Sequence, residues 1–232
     1  MALPFFYEEY IPDSDRFIVS EDTAKHMAQV LRIKDGEQVM ITNGKGYLLT
    51  VEVLLSDKRK MEVKIIHKEF LPPKNPKSTI AISLIKSTNR FEWFIEKATE
   101  IGISSIIPLL CNRTERTHFR IERIKSILIS AMLQSRQVWL PELSEPVKLK
   151  ELIKKKDYDL KLIAHCLEEK KIDLKNVLPD KSTSKLILIG PEGDFTENEI
   201  QDAILHDFVP VSLGETRLRT ETAGMVAAVL FI

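Results

Sequence analysis

Cysteine is scarce in this sequence: Cys111 and Cys166 are the only two in 232 residues. Neither thiol has a second cysteine at the short spacing of a zinc site, so the sequence predicts no metal centre. Two isolated thiols without a secretion signal are typical of a reducing compartment. We therefore expect a cytoplasmic protein that uses no metal.

Long apolar runs are absent as well. No apolar segment reaches the ~18 residues of a membrane-spanning helix, so we expect no membrane role. Residues 1–10 lack the basic-then-apolar order of a signal peptide. A hydrophobic content of 44% and a charged content of 29% are ordinary for a globular protein. With 232 residues the chain is expected to form two domains.

Net charge is also lacking, since 34 Lys and Arg residues balance 34 Asp and Glu residues. A zero sum by itself argues against nucleic-acid binding, but the charges are segregated along the chain. Residues 73–140 hold eleven Lys and Arg against five Asp and Glu, whereas residues 186–232 hold two against eight. This basic band at 73–140 can bind phosphates even though the net charge of the whole chain is zero. The basic residues at 113–125 therefore either form the solvated face of a helix and its entry loop, or bind RNA.

The N-terminal third shows short strand patterns joined by tight turns. Two of them, Gln38–Thr42 and Tyr47–Leu55, flank the sequence Asn-Gly-Lys-Gly at 43–46, which is a hairpin signal. Another alternates apolar and polar residues from Met61 to Ile65. Short strands of this kind predict a small β-barrel domain.

The remaining sequence alternates strand and helix patterns, after a proline-rich linker at 71–76. Such alternation predicts an α/β domain, in which helices cover a parallel sheet. Strand patterns fall at 79–85, 105–110, 160–165, 186–189 and 208–213, and helical patterns fall at 91–101 and 121–135.

Two glycine-containing loops follow the last two strand patterns. The first is GPEGD at 190–194, and the second lies within LGETRLRTETA at 213–223. Loops at the carboxyl ends of parallel strands are where open α/β sheets bind ligands, and glycine lets bare backbone groups approach them. Thr196 and Glu199 have the spacing of a capping box, which predicts a helix after the first loop. The alternative is that both loops are simple strand-to-helix turns.

These two loops resemble the RsmE family of small-subunit ribosomal RNA (uracil-N3) methyltransferases, which belong to the SPOUT class. HMAQVLR at 26–32 and KSTNRFEWFIEKATEIG at 86–102 are similar to the same family, so the resemblance covers nearly the whole chain. It implies a PUA-like RNA-binding β-barrel at 1–72 and a SPOUT parallel-sheet α/β domain at 73–232. It further implies a C-terminal trefoil knot and a homodimer with the cofactor site near the subunit interface.

The sequence departs from the family pattern at three places. Leu3 and Pro4 stand where the family usually has an arginine before its first aromatic pair. Asp194 replaces a common glycine, although Asp tolerates unusual backbone angles better than most residues. Gln134-Ser135-Arg136 matches the family's Glu-Gln-x-x-Arg only in part.

The resemblance implies S-adenosyl-L-methionine as cofactor and 16S ribosomal RNA of the small subunit as partner. Backbone groups of the two loops would hold the cofactor, and basic residues of both domains would hold the RNA. The implied cofactor residues are Ile189, Gly190, Pro191, Gly193, Leu213, Gly214, Leu218, Thr220 and Ala223. The implied RNA-binding residues are Arg32, Lys86, Arg113, Arg116, Arg120 and Arg123.

Methylation at N3 of uracil requires removal of the N3 proton, which spreads negative charge onto the ring oxygens. Arg219 is the first choice for stabilising that charge. Glu221 or Glu192 could accept the proton. Glu192 could equally be a solvated turn residue, and Glu221 could be a carboxylate that the helix dipole favours.

The sequence thus predicts an enzyme that methylates N3 of a specific uridine in 16S ribosomal RNA. Two alternatives remain at this stage. One is a SPOUT ribose 2′-O-methyltransferase, and the other is a catalytically silent RNA-binding protein that uses only the barrel and the basic band.

Overall fold

The computed structural model describes residues 3–57, 60–73, 77–168, 170–177 and 183–232. The chain divides into two compact units. The first combines Met1–Pro73 with Met132–Leu140, and the second combines Lys74–Ala131 with Pro141–Ile232. Part of the predicted linker, residues 74–76, lies outside the described residues.

The first unit is built on one mixed sheet. Its strands are β1 (Phe5–Tyr7), β2 (Arg16–Ile18), β3 (Gln38–Thr42), β4 (Tyr47–Leu55) and β5 (Glu62–Phe70). In the described residues they lie in the order β1-β3-β4-β5-β2, with β1 parallel to β3 and the other pairs antiparallel. Alternate residues of β4 (Leu49, Val51 and Val53) are fully buried, because one face of the strand covers the core.

The predicted hairpin between β3 and β4 is confirmed. The Oδ1 atom of Asn43 accepts the backbone N–H groups of Lys45 and Tyr47 at 2.9 and 3.3 Å. Gly44 and Gly46 have φ values of +67° and +89°, which glycine adopts without steric cost.

The first helix begins at a serine cap. Helix α1 (Glu21–Lys25) follows Ser20, whose hydroxyl accepts the backbone N–H of Thr23 at 3.4 Å. It continues into a π-helical turn, His26–Val30. Arg32, two residues after the turn, has an exposed side chain and a φ of +54°.

Residues 132–140 group with the first unit, whereas the sequence predicted them within the α/β domain. The backbone N–H of Gly46 donates to Val138 O at 2.9 Å, and that of Leu140 donates to Gly44 O at 2.9 Å. The Nη2 atom of Arg136 donates to Leu3 O at 3.2 Å. These bonds join positions far apart in the chain, and no local pattern predicts them.

The second unit is the predicted parallel α/β domain. Its strands are β6 (Ser78–Ser83), β7 (Ser105–Leu110), β8 (Glu142–Leu143), β9 (Val147–Lys148), β10 (Leu160–Ala164), β11 (Ile172–Asp173), β12 (Lys185–Ile189) and β13 (Val209–Ser212). Their order in the described residues is β11-β13-β10-β12-β6-β7-β8, β9 also pairs with β7, and these pairings are parallel. Every residue of β6 and β12 is buried, as expected for central strands with both faces covered. The trefoil knot stays a prediction.

Helices alternate with these strands along the chain. They are α2 (Thr88–Ile101), α3 (Ile121–Gln134), α4 (Leu149–Leu152), α5 (Leu174–Val177), α6 (Glu197–Leu205) and α7 (Thr220–Phe231), and the last three residues of α3 group with the first unit. Gly224 of α7 lies against the ring of Phe94 in α2, where an added Cβ would come within 2.6 Å of that ring. The close approach of the two helices therefore depends on glycine.

Candidate active site

A cavity of about 420 Å³ lies at the carboxyl edge of the parallel sheet in the second unit. Ala164 of β10 pairs with both Ile189 of β12 and Val211 of β13, so the ends of these strands meet there. The lining residues are Arg90, Ala164, Cys166, Ile189, Gly190, Pro191, Glu192, Asp194, Arg217, Leu218, Arg219, Thr220, Glu221 and Ala223.

Most of the catalytic and cofactor residues proposed from the sequence lie in this lining, and none of the RNA-binding candidates does. The three catalytic candidates, Glu192, Arg219 and Glu221, all contribute to it. Among the described residues, the cofactor candidates outside the lining are Gly193, Leu213 and Gly214. The lining residues that were not proposed as site residues are Arg90, Ala164, Cys166, Asp194 and Arg217. Arg90 lies within the family-like segment 86–102, but its approach to α7 is a long-range contact.

Asp194 joins two walls of the cavity. Its Oδ2 atom accepts the backbone N–H of Cys166 at 2.8 Å, and its Oδ1 atom accepts the N–H of Phe195 at 2.9 Å. Its φ is +62°, in the left-handed region that usually favours glycine. The carboxylate therefore stabilises the loop after β12 and connects it to the loop after β10. This is a physical reason why Asp is accommodated where the family commonly has Gly.

Glycine at position 190 allows the loop to pack closely on Phe195. A Cβ atom there would lie 3.1 Å from the ring of Phe195, which is itself almost completely buried. The loop can thus fold tightly over Phe195 while its backbone faces the cavity.

The predicted capping box is confirmed at the start of α6. Thr196 Oγ1 accepts the Glu199 N–H at 3.3 Å, and Glu199 Oε2 accepts the Thr196 N–H at 2.8 Å. The other carboxylate oxygen of Glu199 accepts the backbone N–H of Asn112 at 2.7 Å. Burial, followed by the nearby Glu199 carboxylate, raises the pKa of the Cys111 thiol to about 12. Cys111 is therefore a neutral, structural thiol at physiological pH.

Arg113 supports the first loop from outside. Its Nη1 atom donates to the carbonyl oxygens of Gly193 and Phe195 at 2.7 and 3.3 Å. From the sequence, Arg113 is expected to bind RNA. The structure adds a local role, because the side chain fixes the backbone on both sides of Asp194.

The two acidic candidates are held differently. Glu192 is exposed, and its Oε1 atom accepts the backbone N–H of Lys86 at 3.0 Å. Glu221 is buried in the first turn of α7, and its Oε1 atom lies 3.7 Å from Arg90 Nε. The helix N-terminus and the guanidinium both place positive charge beside the Glu221 carboxylate.

Arg219 immediately precedes α7. Its side chain is exposed and makes no capping hydrogen bond to the helix. The guanidinium can therefore reach toward a substrate at the cavity. Earlier in the same loop, Gly214 has a φ of +129°, and the Ser212 hydroxyl donates to its carbonyl at 2.9 Å.

Other basic candidates are engaged with neighbouring side chains. Lys86 Nζ lies 2.9 Å from Glu115 Oε2, and the carboxylate raises the pKa of this lysine. Arg123 makes two contacts with Glu92, at 3.3 and 2.9 Å, which raise its pKa. Exposed ion pairs of this kind contribute little to stability, so phosphates can compete for them.

Arg116 and Arg120 complete the basic set. Arg116 Nη1 donates to the Lys86 carbonyl at 3.3 Å and to the Thr88 hydroxyl. Arg120 Nε lies 3.4 Å from His118 Nε2 and its side chain is exposed. The structure thus places Lys86 and Arg116 together beside the loop that carries Glu192.

Metal-binding clusters and membrane-spanning helices are both absent from the described residues. No group of three or more His, Cys, Asp or Glu side chains in these ranges could hold a metal ion. No described helix is long and apolar enough to cross a membrane.

The fold corresponds to that of RNA methyltransferases. Residues 73–232 match the RNA methyltransferase domain family, and residues 19–66 match the RNA methyltransferase PUA domain family. The first unit therefore contains the PUA-like domain that the sequence predicts.

Individual relatives narrow the class. The ribosomal RNA small subunit methyltransferase E of Mesomycoplasma hyopneumoniae is 30% identical over 90% of each chain. A crystal structure of a probable rRNA-methyltransferase from Porphyromonas gingivalis is 35% identical, with a TM-score of 0.90 over 97% of this chain and 95% of that one. The ribosomal RNA small subunit methyltransferase E of Neisseria gonorrhoeae, crystallised with S-adenosyl methionine, is 28% identical, with a TM-score of 0.85 over 98% and 95%. The chain belongs to the ribosomal RNA small subunit methyltransferase E (RsmE) family.

Proposed function

We propose that this protein transfers the methyl group of S-adenosylmethionine to N3 of a specific uridine in 16S ribosomal RNA. The observation that carries the proposal is the cavity at the carboxyl edge of the sheet. Both glycine-containing loops contribute to it, and so do Glu192, Arg219 and Glu221. Family membership supports the same assignment.

The residues of the cavity fit S-adenosylmethionine. Its volume of about 420 Å³ falls within the ordinary range for small-molecule sites. Ile189, Gly190 and Leu218 line it, and their backbone groups would hydrogen-bond an adenine and an amino acid. Carboxylates at Glu192, Asp194 and Glu221 complement a cofactor with positive sulfonium and ammonium groups. When bound, the cofactor supplies an activated methyl carbon, and the protein must align the acceptor and exclude water.

Arg219 stabilises the negative charge that develops on the uracil oxygens. Its exposed position just before α7 leaves the guanidinium available to the base. An interaction that strengthens as charge builds lowers the barrier of the chemical step.

Glu192 accepts the N3 proton in this proposal. One of its oxygens is occupied by the Lys86 N–H, and within the described residues the other makes no hydrogen bond. Glu221 has a different role, because Arg90 and the start of α7 hold its carboxylate in place. Glu192→Gln should lower the single-turnover rate about 100-fold. The rate should recover as rising pH deprotonates the uracil itself, whereas Glu221→Gln should show no such recovery. The opposite pattern would exchange the two roles.

RNA is held by basic residues on both units. Lys86, Arg116, Arg120 and Arg123 would contact phosphates beside the site, with Arg113 also holding the loop, and Arg32 would contribute from the first unit. Phosphate contacts fix position and register without reading sequence. The net positive charge of residues 73–140 supports this assignment.

A cytoplasmic homodimer completes the proposal. Helices α2 and α7 pack together next to the cavity, and their Trp93 and Val229 side chains are 45% and 61% exposed. Exposed apolar residues on adjacent helices suit a subunit interface. Sedimentation equilibrium would test the assembly, and a purely monomeric protein at micromolar concentration would contradict it.

The decisive experiment is methylation of small ribosomal subunits and of naked 16S ribosomal RNA in vitro. Mass spectrometry of the nucleosides should detect 3-methyluridine. A 2′-O-methylated nucleoside would instead indicate a ribose methyltransferase. RNA binding without cofactor binding or methylation would indicate a silent binding protein.

A further inference from the structure

Three aromatic rings cluster at one end of the sheet in the first unit. The ring centroids of Tyr47 and Phe70 are 5.3 Å apart, and those of Phe70 and Trp139 are 6.0 Å apart. Tyr47 and Phe70 face each other across strands β4 and β5. They are 38% and 51% exposed, so part of this apolar surface meets water.

Hydrogen bonds to the backbone and close packing around Gly46 hold the cluster. Trp139 Nε1 donates to Leu71 O at 2.9 Å, and Leu71 N donates to Gly46 O at 2.8 Å. A Cβ atom at Gly46 would come within 2.5 Å of the Trp139 ring and 2.8 Å of the Phe70 ring. Since no side chain at position 46 separates the rings, they pack directly around the turn.

Positive charge accompanies the rings. Lys68 Nζ lies 5.1 Å from the Tyr47 ring centroid. Lys45 is exposed on the hairpin turn, and its backbone pairs with that of Trp139. Neither lysine forms a salt bridge with any residue of the described ranges. The neighbouring Glu69 follows Lys68 on β5, and the alternation of the strand directs it to the opposite face.

We propose that Tyr47, Phe70 and Trp139 form a stacking platform for an unpaired nucleotide of RNA, and that Lys45 and Lys68 contact the flanking phosphates. The proposal rests on the proposed function, because it takes RNA to be the substrate. Exposed rings beside lysines suit a base next to phosphates better than they suit the apolar surface of a protein. A duplex keeps its base faces stacked inside the helix, so the platform selects a single-stranded or looped segment.

The test compares RNA binding by matched variants. Fluorescence anisotropy is measured with a labelled single-stranded oligouridine and with an RNA duplex of the same length. Phe70→Leu retains apolar packing but removes the ring, and Tyr47→Leu does the same at the neighbouring position. Each should weaken binding of the single strand about 5- to 100-fold, which corresponds to the loss of one stacked base. Duplex binding should change much less.

Two matched controls separate stacking from other effects. Ile66→Ala alters another exposed apolar residue of β5, 48% exposed, and should leave binding unchanged. Phe70→Tyr retains a ring and should bind like the wild type. The fold loss of Phe70→Leu should be the same at low and high salt. Lys68→Ala should instead reduce the logarithmic salt slope by about 0.7 for each phosphate that the variant no longer binds.

Trp139 provides a direct readout of stacking. In a Trp93→Phe background its emission should be quenched by the single-stranded oligonucleotide and not by the duplex. Calorimetry with S-adenosylmethionine and thermal unfolding show whether each variant is folded. Failure of the proposed function appears separately, as the absence of methylation by the wild-type protein.

Unchanged affinity in both Leu variants, or unquenched Trp139 emission at saturating RNA, would overturn the platform. So would variants that bind naked RNA normally and lose affinity only for assembled subunits, because the partner would then be a ribosomal protein.

Discussion

The carboxylate of Asp194 accepts the backbone N–H of Cys166 at 2.8 Å and thereby connects two cavity walls. A second bond, to the N–H of Phe195, holds the loop that carries Asp194 itself. The residue therefore shapes the cavity without needing to touch the reacting atoms. This relationship gives the first prediction.

Asp194→Ala should destabilise the protein by about 1–3 kcal/mol, because two backbone donors lose a charged acceptor. Alanine is also unfavourable at the φ of +62°. Asp194→Gly loses the same bonds without that strain, so it should be the less damaging variant. Urea unfolding gives the stabilities, and calorimetry with S-adenosylmethionine should show weaker binding in both. Wild-type affinity in both variants would show that the bridge does not shape the site.

The second prediction concerns alkaline pH. The pKa of the Cys111 thiol rises from 9.0 to about 12 in the folded protein, first because of burial. A raised folded-state pKa means that the folded form retains the proton more tightly. The associated stability is complete below pH 9 and is lost progressively as the pH approaches 12.

Cys111→Ala should therefore lose less stability than the wild type between these pH values. In urea unfolding, the free energy of unfolding of the wild type should fall more steeply than that of Cys111→Ala, by about 1 kcal/mol per pH unit. Cys166→Ala is the control, because it removes the other thiol, which is exposed. Thiol titration adds a check: Cys166 should react in the native protein, and Cys111 only after unfolding.

The third prediction concerns the contact between α2 and α7. Replacing a glycine inside a helix by alanine usually stabilises it by about 1 kcal/mol. Gly224→Ala should instead destabilise the protein by about 1–3 kcal/mol, since the new Cβ would lie 2.6 Å from the Phe94 ring. Phe94→Leu in the same chain should recover part of this loss by making room. Thr222→Ala, at an exposed position of α7, is the matched control. A stabilised Gly224→Ala protein would mean that the helices move apart readily.

Local sequence patterns predicted much of the fold because they record burial and turn geometry. The hairpin at 43–46 and the capping box at Thr196 depend on neighbouring residues, and both form as predicted. The ends of strands were predicted less accurately. The strand predicted at 79–85 ends at Ser83, although Leu84 and Ile85 are buried, because burial continues beyond the end of sheet pairing.

Long-range relationships could not be predicted in this way. The pairing of Trp139 with the hairpin and the approach of Arg90 to Glu221 depend on how distant segments meet. The glycine-containing loops predicted where the cavity would lie, and the family resemblance supplied its chemistry. The contacts that hold its walls, such as Asp194 with Cys166, required the three-dimensional structure.

The last prediction separates charge stabilisation from positioning at Arg219. If the guanidinium stabilises charge on the uracil oxygens, its interaction strengthens in the transition state. Arg219→Ala should then lower the single-turnover methylation rate about 100-fold at saturating RNA and cofactor. RNA affinity should change far less, because the other basic residues hold the phosphates.

Lysine at this position provides the matched comparison, since Arg219→Lys keeps the charge and loses the planar fork. Partial activity in Arg219→Lys would indicate that charge matters more than paired hydrogen bonds, whereas a loss equal to that of alanine would indicate the reverse. If Arg219 only holds a phosphate, Arg219→Ala would bind RNA weakly and regain the wild-type rate at saturation. That result would remove Arg219 from the chemical step, and the charge on the base would have to be stabilised by another cavity residue, with Arg90 and Arg217 the remaining guanidinium groups of the described lining.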